Sequence, residues 1–325
     1  MPNLAQLFAQ TQSSELSQNR SLRLRQVTEK VIGLPTLPTI VTQLIAIVGD
    51  PASSARQIAM LVSTDQALTA KILKVANSAF YGFAREIATV QLAIVVLGIE
   101  MVKNIGLSVA VLKRFATGRE HRLFDRQRFW EHAIGCGVAA RMLAKNFLNK
   151  RIADEAFVAG VLHDIGKLIL IEYFYDDFCE ALEKAEAEGI SIFEAEEHVL
   201  GVSHADIGGW LAEKWNLPKH LVLAIAHHHR PFDPNGDKPE DLVLLAHMGD
   251  ALIRHLRIGN SGDQQLAGLD PRAAQIFKRG RNISDDVLFE ELGAGLEQEL
   301  ETAQVFKELE PSDGEADHQP SDSDS

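Results

Sequence analysis

Two cysteines, Cys136 and Cys179, are all that the 325 residues contain. That excludes a disulfide framework and a Cys-rich zinc module, and it suits a reducing compartment. No apolar run approaches the ~18 residues that a membrane-spanning helix needs. Residues 1–25 are rich in Gln and Ser and lack an apolar core, so no signal peptide is expected there. A basic stripe is missing as well. The 14 acids and single base (Lys307) of residues 282–325 account for the whole formal charge of −13, which leaves residues 1–281 neutral. Generic nucleic-acid binding is therefore disfavoured. Strand-like alternation is scarce, and the apolar run at 93–96 has no partner run. What is present, 46% hydrophobic and 24% charged residues, supports a sizeable core. The expectation is a cytoplasmic globular protein of one large or two ordinary domains.

The apolar residues follow helical spacing almost throughout. Leu37, Ile40, Val41, Leu44, Ile45 and Val48 mark a first helix after Pro35 and Pro38, ended by Asp50-Pro51. Ser53 or Ser54 can cap a second, Asp65 a third that stops at Asn77-Ser78, and Thr89 a short fourth that stops at Leu97-Gly98. A helix over 99–115 follows, then a polar, Arg-rich stretch (Arg114, Arg119, Arg122, Arg126, Arg128) with the character of a solvated linker. Longer helices are expected over 129–147, 154–170 and 176–188. Ser191 with Glu194 has capping-box spacing, and Ser203 can cap the helix carrying Trp210. Pro218 starts a helix that ends in His227-His228-His229, and 240–256 is apolar and helical. The fold class is all-α. Residues 284–309 form an acidic amphipathic helix on this reading, and 311–325, with Ala316 as their one hydrophobic residue, are expected to be disordered.

The chemistry-bearing residues lie in the second half. His132 sits in one helix, and His163-Asp164 is embedded between Val161-Leu162 and Leu168-Ile169-Leu170. His204, the His227–His229 run and Asp250 follow on further helices. An acid among apolar residues is costly unless it is paired or binds a cation, and helical bundles build metal sites by converging such side chains. Imidazole and carboxylate suit Zn, Mn, Fe or Ni, while the absence of Cys ligands argues against a structural zinc site. On a helix, His163 and Asp164 would point about 100° apart and reach neighbouring metals. Two metals so held activate water for phosphoryl displacement, with Lys167 one turn on to orient phosphate.

These residues resemble a known family. His132, His163-Asp164 and Asp250 look like the H…HD…D pattern of the HD phosphohydrolase superfamily. Leu34-Pro35-Thr36-Leu37-Pro38, Asp65 with Leu68 and Leu73, Asn77-Ser78-Ala79-Phe80-Tyr81-Gly82 and Leu97-Gly98 resemble the HDOD (HD-related output) domain. So do Trp215-Asn216-Leu217-Pro218 and His228-His229-Arg230-Pro231, giving a match over about residues 27–256. The resemblance implies an all-helical HD-like bundle with an N-terminal helical lobe, acting in bacterial signal transduction through protein or ligand contacts. His204, His228 and His229 resemble the additional ligands of the HD-GYP cyclic di-GMP phosphodiesterases, although no Gly-Tyr-Pro follows the His pair and Arg230 stands where that family usually has an acid. The implied ligand set is thus His132, His163, Asp164, His204, His228, His229 and Asp250. The implied cofactor is a divalent metal pair (Fe, Mn, Zn or Ni).

Two functions follow. One is an HDOD regulatory protein with a signalling protein partner. The other is a di-metal phosphohydrolase acting on a nucleotide or cyclic dinucleotide, with Asp164 and Lys167 in catalytic roles; a nucleotide-binding pseudoenzyme is a third variant. The bland alternatives are a metal-free polar network at His163-Asp164, a first-turn position for His204 and a solvated helix end for the His run. His198, His220, His247 and His255 read as ordinary residues, Asn77 as a buried hydrogen-bonder or helix terminator, and Trp130, Trp210 and Trp215 as core. The expected organisation is an extension (1–26), an N-terminal lobe (27–116), an HD-like lobe (117–256), an acidic helical segment (257–310) and an acidic tail (311–325).

Overall fold

The computed structural model describes residues 36–37, 39–48, 53–83, 85–232, 239–263, 265 and 269–307. The extension 1–26, Leu34-Pro35 and Pro38 of the first motif, the Asp50-Pro51 break, Pro234 to Gly236 and the tail 311–325 lie outside them. Among the described residues there is no strand, and the lone bridge between His121 and Phe124 pairs two ends of a turn.

Five helices form the N-terminal lobe: α1 (Thr39–Val48), α2 (Ala55–Ser63), α3 (Gln66–Ala76), α4 (Val90–Leu97) and α5 (Ile99–Arg114). Their starts are set by side chains. Ser54 closes a capping box with Gln57, Asp65 accepts the Leu68 N–H and Thr89 the Leu92 N–H. Asn77 ends α3 and is exposed rather than buried, because its amide turns to the backbone: it bonds Leu73 O, Ile87 O and Ile87 N and so latches the following loop. Leu92, Val95 and Val96 of α4 and Met60 of α2 remain exposed. No single described helix is long and apolar enough to cross a membrane; α4 and α5 reach that length only together, across a 118° bend.

The second lobe contains α6 (Arg126–Phe147), α7 (Ala153–Leu162), α8 (Ile165–Tyr173), α9 (Tyr175–Glu188), α10 (Ile192–Val199), α11 (His204–Lys214), α12 (Lys219–His227) and α13 (Asp241–His255). Helix α6 is its axis, packed against α7 and α13. At Gly160 a Cβ would lie 2.6 Å from the Cys136 backbone and from Gly137 Cα, so α6 and α7 touch main chain to main chain. Two expectations are corrected. The single helix over 154–170 is broken at His163-Asp164 into α7 and α8. The linker is not simply solvated: α6 starts at Arg126, whose buried guanidinium donates to the carbonyls of Phe115 and Arg119 and pairs with Glu172. Trp130, Trp210 and Trp215 are core.

The acidic C-terminal segment does not stand free. Helix α14 (Pro271–Lys278) leads to α15 (Asp285–Thr302), which buries Leu288, Phe289, Leu292 and Leu296 and packs on α6 and α13. The short α16 (Gln304–Lys307) then reaches α3. There Phe306 meets Phe80 of the first lobe edge-on at 5.2 Å and Phe157 of the second at 4.6 Å, and Phe80 and Phe157 meet at 5.2 Å. Arg141 lies 4.0 Å over the Phe80 ring. One continuous apolar core runs through both lobes and the C-terminal helices.

Candidate metal centre

Five elements of the second lobe deliver their polar side chains to one buried point. His132 and Cys136, one turn apart, share the inner face of α6. The α7–α8 break places His163 and Asp164 side by side. His204 is the first residue of α11 behind the Ser203 cap, His228 and His229 follow the end of α12, and Asp250 lies on α13. The break allows close approach: a Cβ on Gly166 would sit 1.9 Å from the His204 carbonyl oxygen, so α8 and α11 meet with no side chain between them. His163 and Asp164 thus sit at the turn between α7 and α8 rather than within one continuous helix.

The seven residues singled out as ligands converge. His132 Nε2 is 3.1 Å from Asp250 Oδ1, and His163 Nε2 is 3.7 Å from the same oxygen. Asp164 lies between two sets of donors. Its Oδ1 is 3.1 Å from His204 Nε2 and 3.5 Å from His228 Nε2; its Oδ2 is 3.4 Å from His163 Nε2. His229 Nε2 is 2.9 Å from His204 Nε2. His229 is half-buried, whereas the other six are buried.

The imidazoles are oriented from behind. His163 Nδ1–H donates to Gly160 O at 2.6 Å and His228 Nδ1–H to Ile225 O at 2.8 Å, because a carbonyl can only accept. His204 Nδ1–H donates to the buried Glu196 carboxylate at 2.6 Å. In the neutral ring each therefore turns a bare Nε2 toward the centre, the arrangement that outer-shell acceptors impose on metal-binding histidines. His163 Nε2, His228 Nε2 and Asp164 Oδ1 have no hydrogen-bond partner among the described residues, although all three are buried. Unsatisfied acceptors at such depth are costly and call for a missing electrophile. On these observations the residues fit a divalent metal.

Lys167, expected to orient phosphate, is placed elsewhere. Its fully buried Nζ donates to Asp164 Oδ2 at 2.7 Å and Ser261 Oγ at 3.1 Å. A second cation escaped the sequence reading. Arg254, one turn after Asp250, donates to both of its oxygens at 2.9 and 2.7 Å and also pairs with Asp263. Ser261 and Asp263 belong to the segment that wraps back after α13, where Asn260 N–H donates to Arg128 O at 2.8 Å. Cys136, Glu196 and His247 were missed too. His247 donates to His228 O at 2.7 Å and accepts the Asp270 N–H at 3.0 Å, bracing the His228 turn. The i,i+4 spacings of Cys136 to His132 and Arg254 to Asp250 were signals available in the sequence; Glu196 and His247 carried none.

The charges balance closely. Burial would lift the Asp164 and Asp250 carboxyls, but His163 and Lys167 hold Asp164, and Arg254 and His132 hold Asp250, well below the usual carboxylate range. Burial opposes protonation of His163, yet Asp164 and Asp250 outweigh it and raise its pKa to about 9. His204 is raised likewise, against its burial, by Glu196 and Asp164. Burial lowers His132, takes His228 down to about 3, and with the adjacent imidazoles holds His229 well below its ordinary value. It also pushes the Cys136 thiol up. Four buried acids (Asp164, Glu196, Asp250, Asp263) thus face Lys167, Arg254 and two protonatable imidazoles, and one divalent cation replaces two protons without changing the net charge.

Comparison with known proteins agrees with this architecture. Residues 34–231 match the HDOD domain. An HDOD domain protein of unknown function from Geobacter sulfurreducens has a similar structure, with TM-score 0.69 and 25% identity over 89% of this chain and 98% of that one. A candidate phosphohydrolase from Shewanella amazonensis SB2B has TM-score 0.64 and 26% identity, covering 86% of this chain and 97% of that one. An uncharacterised protein of Treponema pallidum (strain Nichols) is 25% identical over 248 residues, 76% of this chain and 46% of the relative. The chain thus spans about half the length of that curated relative.

Proposed function

From its membership of the HDOD family, we propose that this chain is a signal-transducing regulatory protein whose second lobe holds a divalent metal as a sensed or structural ligand and which acts through contacts with a signalling protein. The observation that carries this reading is the closed state of the centre. His132, His163, Asp164, His204, His228 and Asp250 are buried, and both carboxylates are already paired with internal cations. A phosphoester has no uncommitted cation to meet at Asp164 or Asp250.

His132, His163 and Asp250 would hold metal on one side of Asp164, and His204, His228 and His229 on the other. A bound divalent cation would supply positive charge to the unpartnered His163 Nε2, His228 Nε2 and Asp164 Oδ1, and its loss would leave them unsatisfied or protonated. The protein's own part is to tie α6, α8, α11, α12 and α13 to one point, so that occupancy is felt by each of these five helices.

A phosphohydrolase is the second reading, favoured by His229, which is less buried than the other six residues, and by the likeness to the Shewanella protein. It requires a divalent pair and a nucleotide or cyclic dinucleotide substrate. Lys167 would have to release Asp164 and Ser261 to orient phosphate. The deciding experiment combines elemental analysis with a phosphoester screen on the full chain, reconstituted with Mn, Fe or Zn, for wild type and Asp164→Ala. Metal held by wild type and lost from the variant, with no turnover in either, is the expected result. Turnover that disappears in Asp164→Ala would replace the regulatory reading with the hydrolase, and absence of metal in both proteins would remove the metal from either account.

A further inference from the structure

Resting on the reading of this centre as a metal site, we propose that Cys136 is itself a ligand. With His132, His163 and Asp250 it makes a closed, thiolate-containing position that selects Zn(II) or Fe(II) over Mg(II) or Mn(II).

The placement is specific. His132 and Cys136 project from the same face of α6, and Cys136 Sγ lies 3.4 Å from His132 Nε2. Asp250 Oδ1 is 3.1 Å from His132 Nε2 and 3.7 Å from His163 Nε2. The four donor atoms all lie within 4.8 Å of one another. Four nitrogen, oxygen and sulfur ligands arranged tetrahedrally about zinc at ~2.0–2.3 Å stand roughly 3.3–3.8 Å apart; the His132–Cys136 and His163–Asp250 edges lie in that range and the His132–Asp250 edge just below it. His163 Nε2 points independently to a ligand in this space: it is buried, faces the same point and bonds nothing.

The neighbouring acid explains why a fourth donor is needed. Asp164 Oδ1 faces His204 and His228 on the other side, and Oδ2 turns to Lys167 at 2.7 Å, closer than to His163 (3.4 Å) or His132 (4.0 Å). Asp250 Oδ1 keeps a second lone pair while it accepts from Arg254. The thiolate fills the remaining corner. A sulfur donor favours borderline and soft cations, whereas Mg(II) and Mn(II) prefer oxygen. Four protein ligands also leave no open position, as in structural rather than catalytic zinc sites.

The test is Co(II) addition to the metal-free full chain, followed by absorbance and elemental analysis. A thiolate-to-cobalt charge-transfer band in the near ultraviolet is expected in wild type and in Cys179→Ser, which removes the only other thiol. Cys136→Ser should lose the band and bind zinc at least ~10-fold more weakly, as even outer-shell changes do, while Mn(II) binding stays unchanged. Cys136→Ala, checked for native helicity, guards against a folding defect, and the wild-type band needs no variant at all. Cobalt bound by wild type without that band, or a band that survives Cys136→Ser, overturns the cysteine assignment and leaves the metal centre standing. No metal bound by wild type overturns both.

Discussion

Replacing Arg254 by methionine keeps an apolar stem of similar reach and deletes one cation. In the wild type that cation donates to Asp250 at 2.9 and 2.7 Å and to Asp263 at 2.5 Å, and all three side chains are at least nine-tenths buried. Removing one partner of a buried pair costs about 3–5 kcal/mol, because the remaining charge is left uncompensated. At ~2–4 °C per kcal/mol, that is a fall in Tm of roughly 6–20 °C. The pH dependence has a definite sign. Burial works to raise the Asp250 carboxyl, and Arg254, with His132 and His163, depresses it well below its unfolded value. Its contribution to stability is therefore present above the unfolded pKa and is lost as pH falls through the folded one. Without Arg254, burial acts on the Asp250 carboxyl with less to oppose it, so acid favours the folded variant relative to wild type. The deficit measured by urea unfolding should narrow between about pH 7 and about pH 5. A variant within ~0.5 kcal/mol of wild type, the scale of ordinary surface changes, would refute the argument, as would a deficit that widens in acid.

Two further perturbations separate packing from ligand orientation. Gly166→Ala puts a methyl 1.9 Å from the His204 carbonyl oxygen and 2.9 Å from Gly208 N, both main chain, so α8 must move off α11 at a cost of about 1–3 kcal/mol or more. Gly295→Ala on α15 meets only Met142 Sδ at 3.7 Å and should stabilise by ~0.5–1 kcal/mol; equal melting temperatures for the two variants would contradict the helix contact described here. Glu196→Gln removes the carboxylate behind His204 and should weaken metal binding roughly 10- to 100-fold in a competition titration with a chelator, and an unchanged affinity would show that His204 is not held for a metal.

Much of the fold is written in local chemistry. Ser54, Asp65, Thr89, Ser191 and Ser203 mark helix starts because a capping oxygen satisfies a nearby N–H whatever the tertiary context. The break at His163-Asp164 is not local: Leu162 to Leu168 is helical by pattern, and the chain turns because α8 must approach α11 through Gly166. Arg126 read as a linker residue because its three acceptors, Phe115 O, Arg119 O and Glu172, come together only when α6 docks. At the centre, side-chain identity flagged the seven candidates. Of the groups that hold or neutralise them, Lys167 and Arg254 stand three and four positions from their acids, whereas Glu196 reaches His204 from the preceding helix and Ser261 lies 94 positions from Lys167, and no helical period encodes those two.

The Phe80–Phe157–Phe306 contact has a consequence in time. Its first and last members are 226 positions apart, so a chain emerging from the ribosome at ~5–20 residues per second makes Phe306 about 10–45 s after Phe80. Through that interval the first lobe has its own caps and its own share of the core, but the last aromatic of its seam with the second lobe has not been made. A nascent chain in this window would expose Phe80 and Phe157 together, which makes the seam the place where a chaperone has most to cover.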